Sequence, residues 1–204
     1  MKLFLSSLRL PNKSEQVKLF GSKTQLRVTI IPNAWDPYPK DRRKVELADT
    51  SARFEALGYQ SSVLDLVTSS DKQMHESLSS SDLVWVTGGN SFYLNYQLQH
   101  SGFDKLLKGY LTKGLVYGGA SAGAIVASPT LHGVENADDP KDTPSIIWDG
   151  LSIVKFGIVP HWGMEKYADD LEKMADEMRP YVPQLVTLTN AQAVIVIDDK
   201  LEVV

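Results

Sequence analysis

Cysteine is absent from the 204 residues, which excludes disulfide frameworks, thiolate metal sites and a cysteine nucleophile. A chain of this length buries roughly 70 % of the surface its unfolded form exposes, so its core needs neither a covalent staple nor a structural metal. Long apolar runs are missing as well. The apolar start Met1–Leu5 stops at Ser6-Ser7, short of the about 7–15 residues of a secretory signal core, and reads as a strand. No later stretch approaches the ~18 apolar residues that span a bilayer, so a soluble, cytoplasmic protein without a membrane partner is expected. Excess charge of one sign is lacking too. With 21 Lys and Arg against 25 Asp and Glu, the formal net charge is −4 and no basic stripe suits nucleic acid. Four histidines without H-E-x-x-H or H-x-H spacing offer no metal site, and no organic cofactor is implied. An enzyme or a small-ligand protein remains.

What is present is alternation of short apolar runs with longer amphipathic stretches, the pattern of a mostly parallel sheet covered by crossover helices. Strands are expected at Lys2–Leu5, Arg27–Ile31, Ser62–Leu66, Leu83–Thr87, Leu115–Tyr117, Lys155–Val159, Leu185–Leu188 and Ala193–Ile197. Between them, Arg42–Leu57 reads as a helix with Val45, Ala48, Ala52 and Leu57 near one face and Gly58 as its stop. Lys166–Met178 reads as another, with Tyr167, Leu171, Met174 and Met178 along its apolar stripe. The Pro- and Asp-rich stretches Pro32–Pro39 and Ala137–Pro144 read as loops. With no internal repeat, residues 1–204 are expected to form one doubly wound α/β domain with helices on both faces of the sheet.

Ligands of open α/β sheets bind beyond the carboxyl ends of the strands, and three such positions carry reactive groups. The strand Leu115–Tyr117 runs into Gly118-Gly119-Ala120-Ser121-Ala122-Gly123-Ala124, so Gly119–Gly123 fits G-x-S-x-G between a strand and a helix. A sharp turn there would hold Ser121 in strained backbone geometry and present its Oγ to the cleft. The Ala122 N–H, lacking an intrahelical partner, would point at a developing oxyanion. A plain small-residue turn is the structural alternative. One strand earlier, Gly88-Gly89-Asn90-Ser91 offers the Gly89 N–H as a second oxyanion donor, or a tight turn capped by Asn90 or Ser91. The strand end Val159-Pro160-His161 supplies a histidine suited to act as general base. His75 and His100 fall on helical surface and His132 in a loop. A third group should orient the imidazole. Asp138, Asp139 and Glu135, in the loop between Ser121 and His161, are open choices.

From Gly88-Gly89-Asn90 through Ser121-Ala122-Gly123-Ala124 to Pro160-His161, the chain resembles the peptidase E family of serine hydrolases, which includes aspartyl dipeptidases and is related to the cyanophycinases. The resemblance implies a fold similar to class I glutamine amidotransferases. It also implies a serine peptidase acting on short peptides, with Ser121 as nucleophile, His161 as base and the N–H groups of Gly89 and Ala122 as oxyanion hole. Family members place an acid either in the loop after the nucleophile or in a Leu-x-Glu-Gly-like turn near the chain end. Here that turn reads Leu188-Thr189-Asn190-Ala191, with Asn190 where a carboxylate is expected. The arginine that holds an N-terminal aspartate in the dipeptidases is missing from Trp162–Tyr167, where Lys166 is the remaining cation. Asp-X dipeptides are therefore a narrower expectation than serine hydrolysis. An esterase or isopeptidase using the same Ser–His pair and a non-catalytic ligand-binding relative are the alternatives.

Overall fold

The computed structural model describes residues 1–204. In chain order the elements are β1 (Lys2–Ser6), α1 (Lys13–Phe20), β2 (Leu26–Ile31), α2 (Lys40–Ala56), β3 (Tyr59–Val63), α3 (Asp71–Ser80), β4 (Leu83–Val86), α4 (Ser91–His100), α5 (Phe103–Leu111), β5 (Val116–Ala120) and α6 (Ala122–Ile125). There follow β6 (Gly157–Val159), α7 (Ala168–Met178), β7 (Leu185–Thr187), β8 (Ala193–Ile197) and β9 (Lys200–Val203). Seven strands make one sheet in the order β3-β2-β4-β5-β1-β8-β9. Its first five strands are parallel, while β8 and β9 run antiparallel to their neighbours.

Side chains alternate across this sheet and so build two apolar layers. Phe4, Val28, Ile30, Leu83, Trp85 and Ile195 face α1 and α2, packing on Leu19 and Phe54. Leu3, Leu5, Ile31, Val84, Val86 and Tyr117 face the other way, onto α3 to α6. The fold is thus the expected α/β arrangement with helices on both sides. Adjacent strands β1 and β5 leave the sheet toward opposite faces, through α1 and α6 respectively. The crevice between such diverging strand ends is where this fold class binds ligands.

Several local expectations need correction. The face of α2 that packs inward carries Leu47 and Phe54, whereas Val45 is 66 % exposed and Ala48 and Ala52 are also exposed. Burying the Phe54 ring against Tyr59 and Trp85, at centroid distances of 5.1 and 5.2 Å, removes more apolar surface than a row of small side chains would. The third strand begins at Tyr59, directly after Gly58, rather than at Ser62; Leu64 and Leu66 are buried beyond its end. Strand β5 continues through Gly118 and Gly119 because their missing side chains make room. A Cβ on Gly118 would lie 2.5 Å from the Trp85 ring, and one on Gly119 would lie 2.2 Å from the Gly123 carbonyl oxygen.

The strands expected at Lys155–Val159 and Leu185–Leu188 pair only with each other, as β6 and β7, outside the main sheet. The hairpin strand β9 carries no apolar run. It forms because Asp198 and Asp199 both adopt positive φ, 48° and 67°, the two-residue turn that matches strand twist. Helix α7 begins at Ala168 and buries Leu171, Met174 and Met178; Tyr167 precedes it on a short 3-10 turn and is 40 % exposed.

Candidate active site

Ser121 stands between β5 and α6 with φ 50° and ψ −112°. A non-glycine residue in such a conformation costs of order 1–3 kcal/mol and persists only where its surroundings hold it. Here the Ser121 N–H donates to the Ser6 carbonyl (3.0 Å), while its own carbonyl accepts the N–H groups of Ala124 and Ile125. Fully buried Tyr117 donates its hydroxyl to the Gly123 carbonyl at 2.6 Å and so pins the following turn.

His161 follows β6 and lies 40 residues away in sequence, yet its Nε2 is 3.0 Å from Ser121 Oγ. Its backbone is also left-handed, with φ 61°. The structure therefore brings together the serine and the histidine singled out in the sequence. On the other side of the ring, Nδ1 lies 2.7 Å from Asn190 Oδ1. Asn190 also accepts a hydrogen bond from the Ser7 hydroxyl (3.1 Å), and its Nδ2 donates to Met164 Sδ (3.2 Å). Ser7 Oγ in turn accepts the His161 backbone N–H at 2.8 Å and sits 3.3 Å from Nδ1. Of the third-group choices, none of the acids touches the ring. Glu135 is exposed, and Asp139 accepts the Lys141 N–H. Asp138 accepts the Ser91 N–H at the start of α4 (2.8 Å). Burial pushes the Asp138 carboxyl above its ordinary range, against the lowering influence of the Ser91 N–H bond and of nearby His161.

The Gly88-Gly89 turn after β4 faces the same cleft. Gly89 has φ 132°, and a Cβ there would lie 2.3 Å from the Ala34 carbonyl oxygen. The neighbouring Asn90 N–H donates to that oxygen at 2.8 Å, and Asn90 caps α4 by accepting the Tyr93 N–H. The turn thus caps α4, and its Gly88 and Gly89 line the cleft.

Ser121 and His161 open onto a cavity of about 530 Å³, within the usual range for small-molecule sites. Trp35 and Tyr38, from the Pro32–Pro39 loop, form part of its wall. That loop is tied down by Arg43, which reaches Asp36 and Asp65 at 2.6 Å each, while Asn33 donates to both carboxylates. Arg42 lies over the Trp35 and Tyr38 rings, 4.9 and 5.1 Å from their centroids, and is the one Lys or Arg lining the cavity. Glu46, Asp138 and Asp170 line it as well. Lys166 is not in the wall; it packs over Tyr167. A slightly larger depression, near 590 Å³, lies at the amino ends of β2 and β3 and has only polar walls. It is remote from the strand ends that carry the reactive groups. No three His, Asp or Glu side chains converge on a point that could hold a metal ion.

Ser7, Met164 and Arg42 escaped the sequence reading. Ser7 had a legible signal, because it lies just beyond the carboxyl end of a strand, but there Ser6-Ser7 reads only as the end of an apolar run. Arg42 opens the expected helix Arg42–Leu57, where a lone cation reads as solvated surface.

Comparison with known proteins points to one family. The sequence profile described as Peptidase family S51 matches residues 6–204. An uncharacterised peptidase of Listeria monocytogenes is 30 % identical over 143 residues, 70 % of this chain and 69 % of the relative. An uncharacterised peptidase of Pasteurella multocida is 28 % identical over 196 residues, covering 96 % and 93 % of the two chains. The crystal structure of a protein from Listeria monocytogenes EGD-e, described as a candidate peptidase E, superposes with a TM-score of 0.86 at 26 % identity, over 100 % of this chain and 97 % of that one.

Proposed function

The chain belongs to peptidase family S51 and is a peptidase; from that premise we propose that it is a serine peptidase with Ser121 as nucleophile and His161 as general base. The observation that carries this reading is the 3.0 Å approach of Ser121 Oγ to His161 Nε2, made by two residues that both hold left-handed backbone conformations. Strained backbone conformations cluster at active sites.

In the proposed reaction His161 Nε2 takes the hydroxyl proton as Oγ attacks the peptide carbonyl. The N–H groups of Gly89 and Ala122 receive the oxyanion. The imidazolium gives its proton to the leaving amine, and water activated by the same ring releases the acyl group. Asn190 Oδ1 accepts the Nδ1–H throughout, leaving Nε2 free as the base. An amide oxygen carries no full charge, so it stabilises the imidazolium less than a carboxylate would.

Short peptides are the substrate class that suits the cavity. Its volume and its mixed charge, with Arg42 against Glu46, Asp138 and Asp170, complement a molecule that carries a free ammonium and a free carboxylate close together. An N-terminal aspartate adds a second carboxylate, for which Arg42 is the available cation, so Asp-X dipeptides are the substrates to try first. The reading includes a cytoplasmic location, which a chain without cysteine suits. No helix is long and apolar enough to cross a membrane.

The test is Ser121→Ala. Peptide hydrolysis should fall by on the order of 10⁴–10⁶-fold, and covalent labelling by a serine-directed phosphonate should disappear from the intact-mass spectrum. Full labelling of the alanine variant would rule out Ser121 as nucleophile.

A further inference from the structure

An asparagine beside a catalytic imidazole raises a problem that a carboxylate does not. The two ends of an amide have nearly the same shape, but only the oxygen accepts the Nδ1–H. Turned over, Asn190 would present its NH₂ to Nδ1. The ring proton would then move to Nε2, which could no longer take the proton of Ser121.

The side chains around Asn190 act against that reversal. Ser7 has one hydroxyl proton, and its Oγ already accepts the His161 backbone N–H at 2.8 Å. The proton is directed at Asn190 Oδ1, 3.1 Å away. At the other end Nδ2 donates to Met164 Sδ at 3.2 Å. A reversed amide would place its oxygen against the sulfur lone pairs. Ser7 is itself fixed: it is fully buried, and its N–H donates to the Gln192 carbonyl at 3.2 Å. Its neighbour Ser6 accepts the Ser121 N–H. Ser6, the last residue of β1, and Ser7 just beyond it thus hold the backbones of the serine and the histidine respectively, and both of those backbones are left-handed.

We infer that Ser7 is a positioning residue that selects the Nδ1–H tautomer of His161, by locking the amide of Asn190 with its oxygen toward the ring. The inference rests on the proposed roles of Ser121 and His161. It assigns Ser7 no contact with substrate.

The experiment follows the imidazole ¹⁵N resonances of His161 in labelled protein alongside steady-state kinetics on a hydrolysed dipeptide. The parent protein should show Nδ1–H. In Ser7→Ala the Nε2–H form should grow, with kcat falling roughly 10- to 100-fold, the scale of a misplaced reacting group, and KM changing less than about twofold because the cavity wall is untouched. Ser7→Cys, close in size with a weaker S–H donor, should move both readouts the same way by less, and serves if the alanine variant does not fold. In an Asn190→Asp background, measured as its own reference, a carboxylate has no wrong end. Loss of the Ser7 hydroxyl there should cost less than about threefold, since interacting residues depart from additivity.

An unmoved tautomer, or equal losses in the two backgrounds, would overturn the inference and leave Ser7 as packing. Ser121→Ala, measured in the same series, separates the two levels. Turnover in that variant within about tenfold of the parent defeats the proposed mechanism itself. An inactive Ser121→Ala beside a fully active Ser7→Ala defeats only the role of Ser7.

Discussion

Replacing Gly89 by alanine tests the proposed oxyanion side of the site, and the structure allows its cost to be worked out. The residue sits at φ 132°, a conformation that costs an L side chain of order 1–3 kcal/mol. The added Cβ would lie 2.3 Å from the Ala34 oxygen, 2.5 Å from its carbonyl carbon and 2.8 Å from its Cβ. Two of these are rigid backbone atoms, so the two loops must separate, at an overpacking cost of about 1–3 kcal/mol. Separation also breaks the Asn90 N–H bond to the same oxygen, worth roughly 1 kcal/mol. Loss of about 3–7 kcal/mol follows, and at roughly 2–4 °C per kcal/mol for a chain of this size Tm should fall by at least about 6 °C. The movement also carries the Gly89 amide away from the oxyanion position, and losing one such donor lowers kcat by about 10²–10³-fold. The assay is kcat/KM on a dipeptide together with a thermal melt. Gly58→Ala is the control. Its φ of 89° is strained too, but no atom lies within 4 Å of the new Cβ, so it should lose only about 1–3 kcal/mol and keep its activity. A Gly89→Ala enzyme with parental Tm and kcat would refute both the steric account of this turn and its role in the reaction.

Two further outcomes address recognition and acid stability. Arg42→Ala should raise KM for Asp-X dipeptides by roughly 10-fold or more, the loss of one charge-assisted contact, while peptides amidated at the C-terminus and lacking acidic side chains change little; equal effects on both sets would remove Arg42 from substrate binding. Glu15 is buried, which alone would raise its pKa. The Arg9 fork at 2.7 Å on both oxygens and the Asn12 N–H more than offset that and hold the carboxyl below its ordinary value. Because the native pKa is lowered, the contribution of Glu15 is complete above the unfolded value near 4.5 and is lost as pH falls from there through the native value. Glu15→Gln should thus cost roughly 1.5–3 kcal/mol at pH 7, by urea denaturation, with the difference from the parent shrinking below about pH 4.5; a difference independent of pH would assign the loss to packing.

The sequence by itself determined the fold class and singled out both members of the proposed reacting pair. A short apolar run is a local property, so β1, β2, β4 and β8 are legible from their own residues. The Gly119–Gly123 string likewise dictates a sharp strand-to-helix bend with a serine at its tip, because only small residues tolerate the approach of Gly123 to Gly119. His161 was visible as a strand-end histidine. Which face of α2 turns inward was not visible, since it depends on the Trp85 and Tyr59 rings against which Phe54 packs. Nor does any local pattern separate β6 and β7 from the main sheet, because an apolar triplet reads the same in either place.

Only the tertiary structure decided what lies behind the imidazole. Asn190 and Ser7 are 183 residues apart and meet through their side chains, and a hydrogen bond between such distant groups leaves no spacing to read. The acids of the 135–139 loop carry the right chemistry and a suitable place in chain order. Folding turns Asp138 toward the N-terminus of α4 and leaves the histidine to an amide, since partners are chosen by position in space and not by order along the chain.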